Sequence, residues 1–163
     1  MFQITRNIWQ GRFASRQRLS ELQRTGITHI LNVGEATNQL SESDGPFTMV
    51  QSYPFEDLVR IPTEQAIVCL NILHEMVTAT DSNVYVHCIA GWNRSPTIVW
   101  LYLIACGIDP REAKTRIESV SYDAVPAHSK LVDKELTDAV IKYGHRYFLP
   151  HLRPEAILPV TLG

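Results

Sequence analysis

The sequence predicts an α/β domain with a mainly parallel central sheet flanked by helices. Three observations point there. Residues 27–33 and 48–53 have the pattern of strands, and the apolar-rich run 83–86 has that of a short buried one. Stretches with helical periodicity lie between them, and strands joined by helical crossovers build parallel sheets. The 163 residues are 45% hydrophobic, enough for one ordinary core, and no repeat or low-complexity tract marks off a second unit. Residues 1–163 are therefore expected to form a single domain.

Taken in order, residues 3–10 have the pattern of a strand or hairpin. Ser15 is placed to cap a helix that ends at Gly26. The strands at 27–33 and 48–53 are separated by a polar loop, 34–46, rich in turn formers. Residues 63–78 carry Ile67, Leu70, Leu73, Met76 and Val77 along one helical face, a stripe that belongs to the core. Asp109-Pro110-Arg111-Glu112 opens a further helix as a capping box, running to about Val120. A last helix is expected over 128–147, and 150–163 is expected to be a loose or partner-docking tail.

The strand at 83–86 leads into the run His87-Cys88-Ile89-Ala90-Gly91-Trp92-Asn93-Arg94-Ser95-Pro96-Thr97. Pro96 and 97–105 are helical, because proline fits a first turn whose N–H groups are unpaired anyway. Residues 98–105 are apolar throughout, too short to cross a bilayer and suited to a helix buried on all sides. Between strand and helix lies a tight loop whose N–H groups can converge on one anion, aided by the positive helix end. Cys88 opens the loop, in a field that favours the thiolate, and Arg94 closes it.

A phosphoryl group suits this loop. Gly91 admits close backbone approach, and the Arg94 guanidinium forks onto two oxygens as a lysine cannot. The Ser95 hydroxyl is placed to hydrogen-bond the sulfur and help it leave. His87 either orients the cysteine or is a satisfied structural histidine.

This segment resembles the active-site motif of the cysteine-dependent protein phosphatases, His-Cys-x5-Arg-Ser/Thr. Its ending, Arg94-Ser95-Pro96-Thr97, resembles the small, atypical dual-specificity branch. Ile8-Trp9-Gln10-Gly11, Leu19, Leu22 and residues 26–33 are similar to that family's opening strands and first helix, so the likeness covers roughly 4–140. The resemblance implies a protein-tyrosine-phosphatase-like fold and a phosphomonoester hydrolase working through a phosphocysteine intermediate. Its substrates would be phosphotyrosine, and phosphoserine or phosphothreonine, in proteins. Cys88 would be the nucleophile, Ile89, Ala90, Gly91, Trp92, Asn93 and Arg94 the phosphate cradle, and His87 a supporting residue.

Such chemistry also needs an acid for the leaving oxygen. Tyr53-Pro54-Phe55-Glu56-Asp57 resembles the family's acid loop, with Asp57 31 residues before Cys88. Asp57 is favoured over Glu56 by the position of the matching aspartate; otherwise both acids simply sit on a solvated loop. Arg60 either adds positive potential beside the cleft or is a surface arginine.

Several positions depart from the family pattern. Where many relatives carry an asparagine that braces the phosphate loop, this chain has Pro126-Ala127, leaving Ser129 or His128 to brace it. Trp92 resembles the myotubularin lipid phosphatases, yet the variable positions Ile89, Ala90, Trp92 and Asn93 are not basic. Asn93 resembles the RNA 5′-triphosphatases, yet Ala90 replaces their histidine and Asp57 is present. Trp92 either stacks on a substrate ring or packs under the loop. Two alternatives stay open: a phosphatase for a phosphoinositide, RNA 5′-end or phosphoglucan, and a phospho-binding module without turnover. Relatives become such modules by losing the cysteine, arginine or acid, and this chain has all three.

A net charge of −2 and a pI near 6.3 argue against broad attraction to nucleic acid or membrane. No basic, apolar leader opens the chain, and three cysteines suit a reducing cytoplasm better than a disulfide scaffold. Cys69 and Cys106 fall on helix faces and are expected to be inert core residues. No Cys/His spacing suggests a metal site, and the expected chemistry needs no cofactor. The expected partner is a phosphorylated protein or peptide, and a monomer is favoured.

Overall fold

The computed structural model describes residues 1–152. The chain opens as a hairpin: Phe2–Gln3 (β1) pairs antiparallel with Ile8–Gly11 (β2), and the buried Thr5 hydroxyl accepts the Ile8 N–H in the turn between them. Ser15 does not cap the next helix with its side chain. A 3-10 turn at Arg16–Arg18 intervenes, and α1 runs Leu19–Thr25 to Gly26.

The two following strands are shorter than expected, at His29–Asn32 (β3) and Met49–Ser52 (β4). Helix α2, Thr63–Thr78, matches the expected range, with Leu70, Leu73, Met76 and Val77 buried and Ile67 at the edge of the stripe. Val84–His87 (β5) is buried at all four positions. Helix α3, Arg94–Ala105, starts two residues before Pro96, and Ser95 through Ala105 are all buried. The helix expected to be enclosed on all sides is so.

Asp109 caps α4, Pro110–Glu118, by accepting from the Arg111 and Glu112 N–H groups. The Glu112 carboxylate turns forward to Arg116 instead of back to complete a box. The last helix, α5, spans Lys134–Tyr147 and begins six residues later than expected. Ala127 takes the left-handed conformation (φ 57°), and the Leu131 N–H closes a turn onto the His128 carbonyl. Helix therefore starts only where the Asp133 carboxylate accepts from the Leu136 N–H. The expected tail begins with a 3-10 turn at Leu149–His151, and Leu152 packs against the core. The rest of it, 153–163, lies outside the described residues.

The sheet order is β1-β2-β5-β3-β4, with every pairing parallel except β1 with β2. Alternation along β5 sends Val84 and Val86 toward the core shared with α2, α3, α4 and α5. Tyr85 faces the smaller cluster of Leu22, Ile27 and Ile30 on the α1 side. The register sets Gly11 and Asn32 on either side of His87, so three parallel strands end together at one rim of the sheet. That rim is where ligands bind in open α/β sheets. No helix among the described residues is long and apolar enough to cross a membrane.

Helices α3 and α5 meet with almost no space between backbones. A Cβ at Gly144 would lie 2.0 Å from the Ala105 carbonyl oxygen, so glycine is required there. Gly144→Ala is expected to destabilise the fold by about 3 kcal/mol or more, because neither backbone can yield. Urea denaturation measures this; a loss below about 1 kcal/mol would show that α5 shifts freely.

Candidate active site

The site starts from β5. Its last residue, His87, is 1% exposed, and its Nδ1–H donates to the Cys88 carbonyl at 3.1 Å. Phe13 packs edge-on against the ring at 5.0 Å, and Tyr85 stacks on it at 5.6 Å. Burial lowers the His87 pKa to about 4, which keeps the ring neutral. His87 thus holds the cysteine backbone and does not touch the sulfur. An unfolded chain protonates this histidine near 6.5, so the unfolded state binds more protons between there and about 4. Stability is therefore expected to fall as pH drops through that window. The melting temperature should be lower near pH 4.5 than near pH 7, and His87→Asn should flatten the dependence. Buried His29 and half-buried His74, also lowered by desolvation, keep part of it; an unchanged slope in His87→Asn would refute the assignment.

From Cys88 the chain makes a loop whose carbonyls point outward to protein donors. The Ile89 carbonyl accepts from the Phe13 N–H at 3.0 Å and the Trp92 carbonyl from the Val125 N–H at 2.7 Å. Among the described residues, no backbone N–H from Ile89 to Arg94 donates to a protein acceptor. Gly91 makes this path possible, with φ of 79° and a Cβ position 2.6 Å from the Gly11 carbonyl carbon. Of the residues that carry these N–H groups, Ile89, Ala90, Trp92, Asn93 and Arg94 border a pocket of about 340 Å³ at the N-terminus of α3, whereas Gly91 borders an adjoining cavity with Arg12 and Asp123. Asp57, Cys88, Ile89, Ala90, Trp92, Asn93 and Arg94 line the former. A loop of donors without protein acceptors at a helix start is suited to an anion.

The Arg94 guanidinium is held from behind. One terminal nitrogen donates to the Gly34 carbonyl at 2.9 Å and the Phe55 carbonyl at 3.0 Å. Its Nε is buried with no hydrogen-bond partner, 3.7 Å from an Asp57 oxygen. A phosphoryl oxygen would satisfy it. The Gly34 carbonyl is positioned in turn by buried Asn32, whose Oδ1 accepts from the Gly34 and Glu35 N–H groups.

Asp57 sits on the rim. Its Oδ1 accepts from the Leu58 N–H at 3.1 Å, and the Asn93 amide donates to both carboxylate oxygens at 3.4 Å. Glu56 instead lines a separate cavity with Pro54, Arg60 and Gln65. Arg60 does not serve the cleft: it pairs with Asp133 at 3.0 and 3.1 Å and ties the acid loop to the start of α5. Trp92 is 54% exposed and stands at the rim, not packed under the loop.

Beneath the loop, the Ser95 Oγ lies 3.3 Å from the Cys88 Sγ and donates to the Gln10 Oε1 at 3.0 Å. The loop's brace is the Val125 backbone, steadied by Thr97, whose hydroxyl donates to the Val125 carbonyl and accepts from the His128 N–H. Neither the Ser129 nor the His128 side chain does this work, because the braced atom is a carbonyl within reach of a backbone N–H. Sequence reasoning misses Gln10, Asn32, Val125 and Ser121 as site residues, although Gln10 and Asn32 fall inside the segments that resemble the family's opening strands. A glutamine inside an otherwise buried strand was the available signal for the first of them. Cys69 and Cys106 are buried, and burial pushes both thiols up, Cys106 to about 12, as suits inert core residues.

The strand-loop-helix cradle headed by a cysteine and closed by an arginine defines a phosphatase-like α/β domain. The dual specificity phosphatase catalytic domain family matches residues 8–124, and the chain belongs to that family. It is 32% identical to protein tyrosine phosphatase type IVA 2 of Mus musculus over 94 residues, 57% of this chain and 56% of that protein. It is 31% identical to dual specificity protein phosphatase 15 of Homo sapiens over 98 residues, 60% of this chain and 32% of that one. The match thus spans about half or less of these relatives' length. Among solved structures, a mouse putative dual specificity phosphatase complexed with zinc tungstate superimposes with a TM-score of 0.68 at 19% identity, covering 97% of this chain and 91% of that one. PTPMT1 in complex with PI(5)P gives 0.67 at 21% identity, covering 88% and 96%. These two likenesses concern the fold.

Proposed function

We propose that this protein is a cysteine-dependent phosphatase that hydrolyses phosphotyrosine, and also phosphoserine and phosphothreonine, in proteins through a phosphocysteine intermediate. The observation that carries this reading is the run of N–H groups from Ile89 to Arg94 without protein acceptors beside the Cys88 pocket, together with the Arg94 Nε that no protein acceptor takes. These donors hold the three phosphoryl oxygens. The Cys88 thiolate attacks phosphorus, the P–O bond breaks, and the leaving oxygen takes a proton from Asp57. A water then attacks phosphorus and gives its proton to Asp57, while the P–S electron pair returns to sulfur. Ser95 donates to that sulfur as it leaves. His87 holds the Cys88 carbonyl, and Asn93 orients Asp57.

Protein substrates are favoured by the pocket lining. Ile89, Ala90, Trp92 and Asn93 are uncharged, so Arg94 is the one cation among the lining residues. A multiply phosphorylated headgroup or an RNA 5′-end would call for more. The same reading has the enzyme in the cytoplasm, where its three free cysteines stay reduced.

Phosphopeptides, phosphoinositides, RNA 5′-ends and phosphoglucans assayed at equal enzyme concentration test the proposal. Phosphotyrosine peptides are expected to give the highest kcat/KM, with measurable phosphoserine and phosphothreonine turnover. The phenolate leaves more readily, and its ring can stack on exposed Trp92. Trp92→Ala should then lower phosphotyrosine turnover selectively. Absence of turnover on phosphoserine and phosphothreonine would refute dual specificity, and a faster non-protein substrate would refute the protein reading.

A further inference from the structure

Gln10 is an amide inside a buried parallel strand, on the face of β2 that meets α3. It joins a line of hydrogen bonds that ends at the nucleophile. Its Nε2 donates to the Ser121 Oγ at 2.9 Å, its Oε1 accepts from the Ser95 Oγ at 3.0 Å, and that Ser95 oxygen lies 3.3 Å from the Cys88 Sγ and, at the outer limit of hydrogen bonding, 3.5 Å from the Gly11 carbonyl oxygen. Gln10 and Ser95 are 0% exposed, Ser121 2% and Cys88 3%, so these bonds run in a low-dielectric interior.

A serine hydroxyl has one proton to give. With that proton on the Gln10 Oε1, the Ser95–Cys88 bond needs its proton from sulfur, so this direction matches the thiol. In it, the Ser121 hydroxyl proton has no acceptor among the described residues. Turning the Gln10 amide by half a revolution reverses the line within the same volume, since amide oxygen and nitrogen are nearly alike in size. Ser121 then donates to the Oε1, the Nε2 donates to the Ser95 Oγ, and Ser95 donates to sulfur. That direction matches the thiolate and leaves no hydroxyl proton in the line without an acceptor. Arg94, Asp57, His87 and Tyr85, the charged and titratable groups around Cys88, are present in both arrangements.

The geometry points to Gln10 as a positioning residue that, by reversing its side-chain amide, supports the departing Cys88 thiolate through Ser95. The inference rests on the phosphocysteine reading above and concerns its second step. As water attacks phosphorus and the P–S pair moves to sulfur, an N–H donated to the Ser95 oxygen polarises the hydroxyl that receives the new charge.

Gln10→Met keeps length and burial without the amide. In rapid-quench experiments it is expected to slow phosphocysteine breakdown about tenfold, with formation nearly unchanged, so that the intermediate accumulates. In a Ser95→Ala background the same substitution should cause no further loss. Gln10→Glu, which offers only acceptors when ionised, should slow breakdown more than Met does. Ser121→Ala leaves the strand intact and should slow the same step about threefold, which keeps the test available if Gln10→Met folds poorly. Equal slowing of both steps, or the same loss with Ser95 absent, would overturn the inference in favour of a packing role. If wild type traps no phosphate on Cys88, the phosphocysteine reading itself fails. If phosphate is trapped and breakdown is unaffected by the Gln10 and Ser121 variants, the role of Gln10 alone fails.

Discussion

Cys88→Ser is expected to lower turnover about 10⁴–10⁶-fold while phosphate affinity stays close to wild type. The two effects separate because different atoms supply them. On the proposed reading, affinity is supplied by the N–H groups of Ile89 to Arg94 and by the Arg94 side chain, which the Gly34 and Phe55 carbonyls hold without help from sulfur. Turnover requires an ionised nucleophile, and a serine hydroxyl beside Ser95 stays protonated at neutral pH. Single-turnover kinetics and calorimetric binding of a phosphopeptide measure the two quantities independently. Turnover within about tenfold of wild type would exclude Cys88 as nucleophile. Parallel loss of binding would show that the substitution had collapsed the loop, whose Gly91 packs against Gly11 with no space to spare.

Asp57→Asn is expected to cost about 10²–10⁴-fold in kcat on phosphoserine and phosphothreonine, whose alkoxides leave poorly without a proton. On an activated aryl phosphate the loss should be less than about tenfold, because that phenolate leaves unaided. The substitution is conservative in shape. An amide oxygen can still accept from the Leu58 N–H, and Arg60 still ties the loop to Asp133. The comparison therefore reads the proton and not the fold. Equal losses on both kinds of substrate would remove Asp57 from the role. Glu56→Gln would then be the decisive variant, although Glu56 opens onto another cavity.

What the sequence determined by itself is what depends on near neighbours. Residues 87–95 are consecutive, so a strand, one glycine able to take positive φ and a helix start are enough to curl them into a cradle. Helix α2 was legible to its ends because its apolar stripe repeats with helical period. The place of Asp57 beside the pocket was legible because its loop carries a family-like pattern next to a strand. What only the tertiary structure decided is what depends on the approach of distant segments. Parallel pairing in register brings Gly11 and Asn32 beside His87, and this alone puts Gln10 under Ser95 and the Gly34 carbonyl behind Arg94. The brace from Val125, the engagement of Arg60 by Asp133 and the exposure of Trp92 belong with these. The start of α5 belongs there too: the Leu131 carbonyl accepts from the Ile61 N–H and Arg60 holds Asp133, so the segment before the helix is tied to the acid loop. Local preferences differ by about 1 kcal/mol per residue or less, while a buried donor without a partner costs about 1–3 kcal/mol. Where the two compete, as at the loop and its supports, the packing of remote segments prevails, and the sequence read locally does not reveal it.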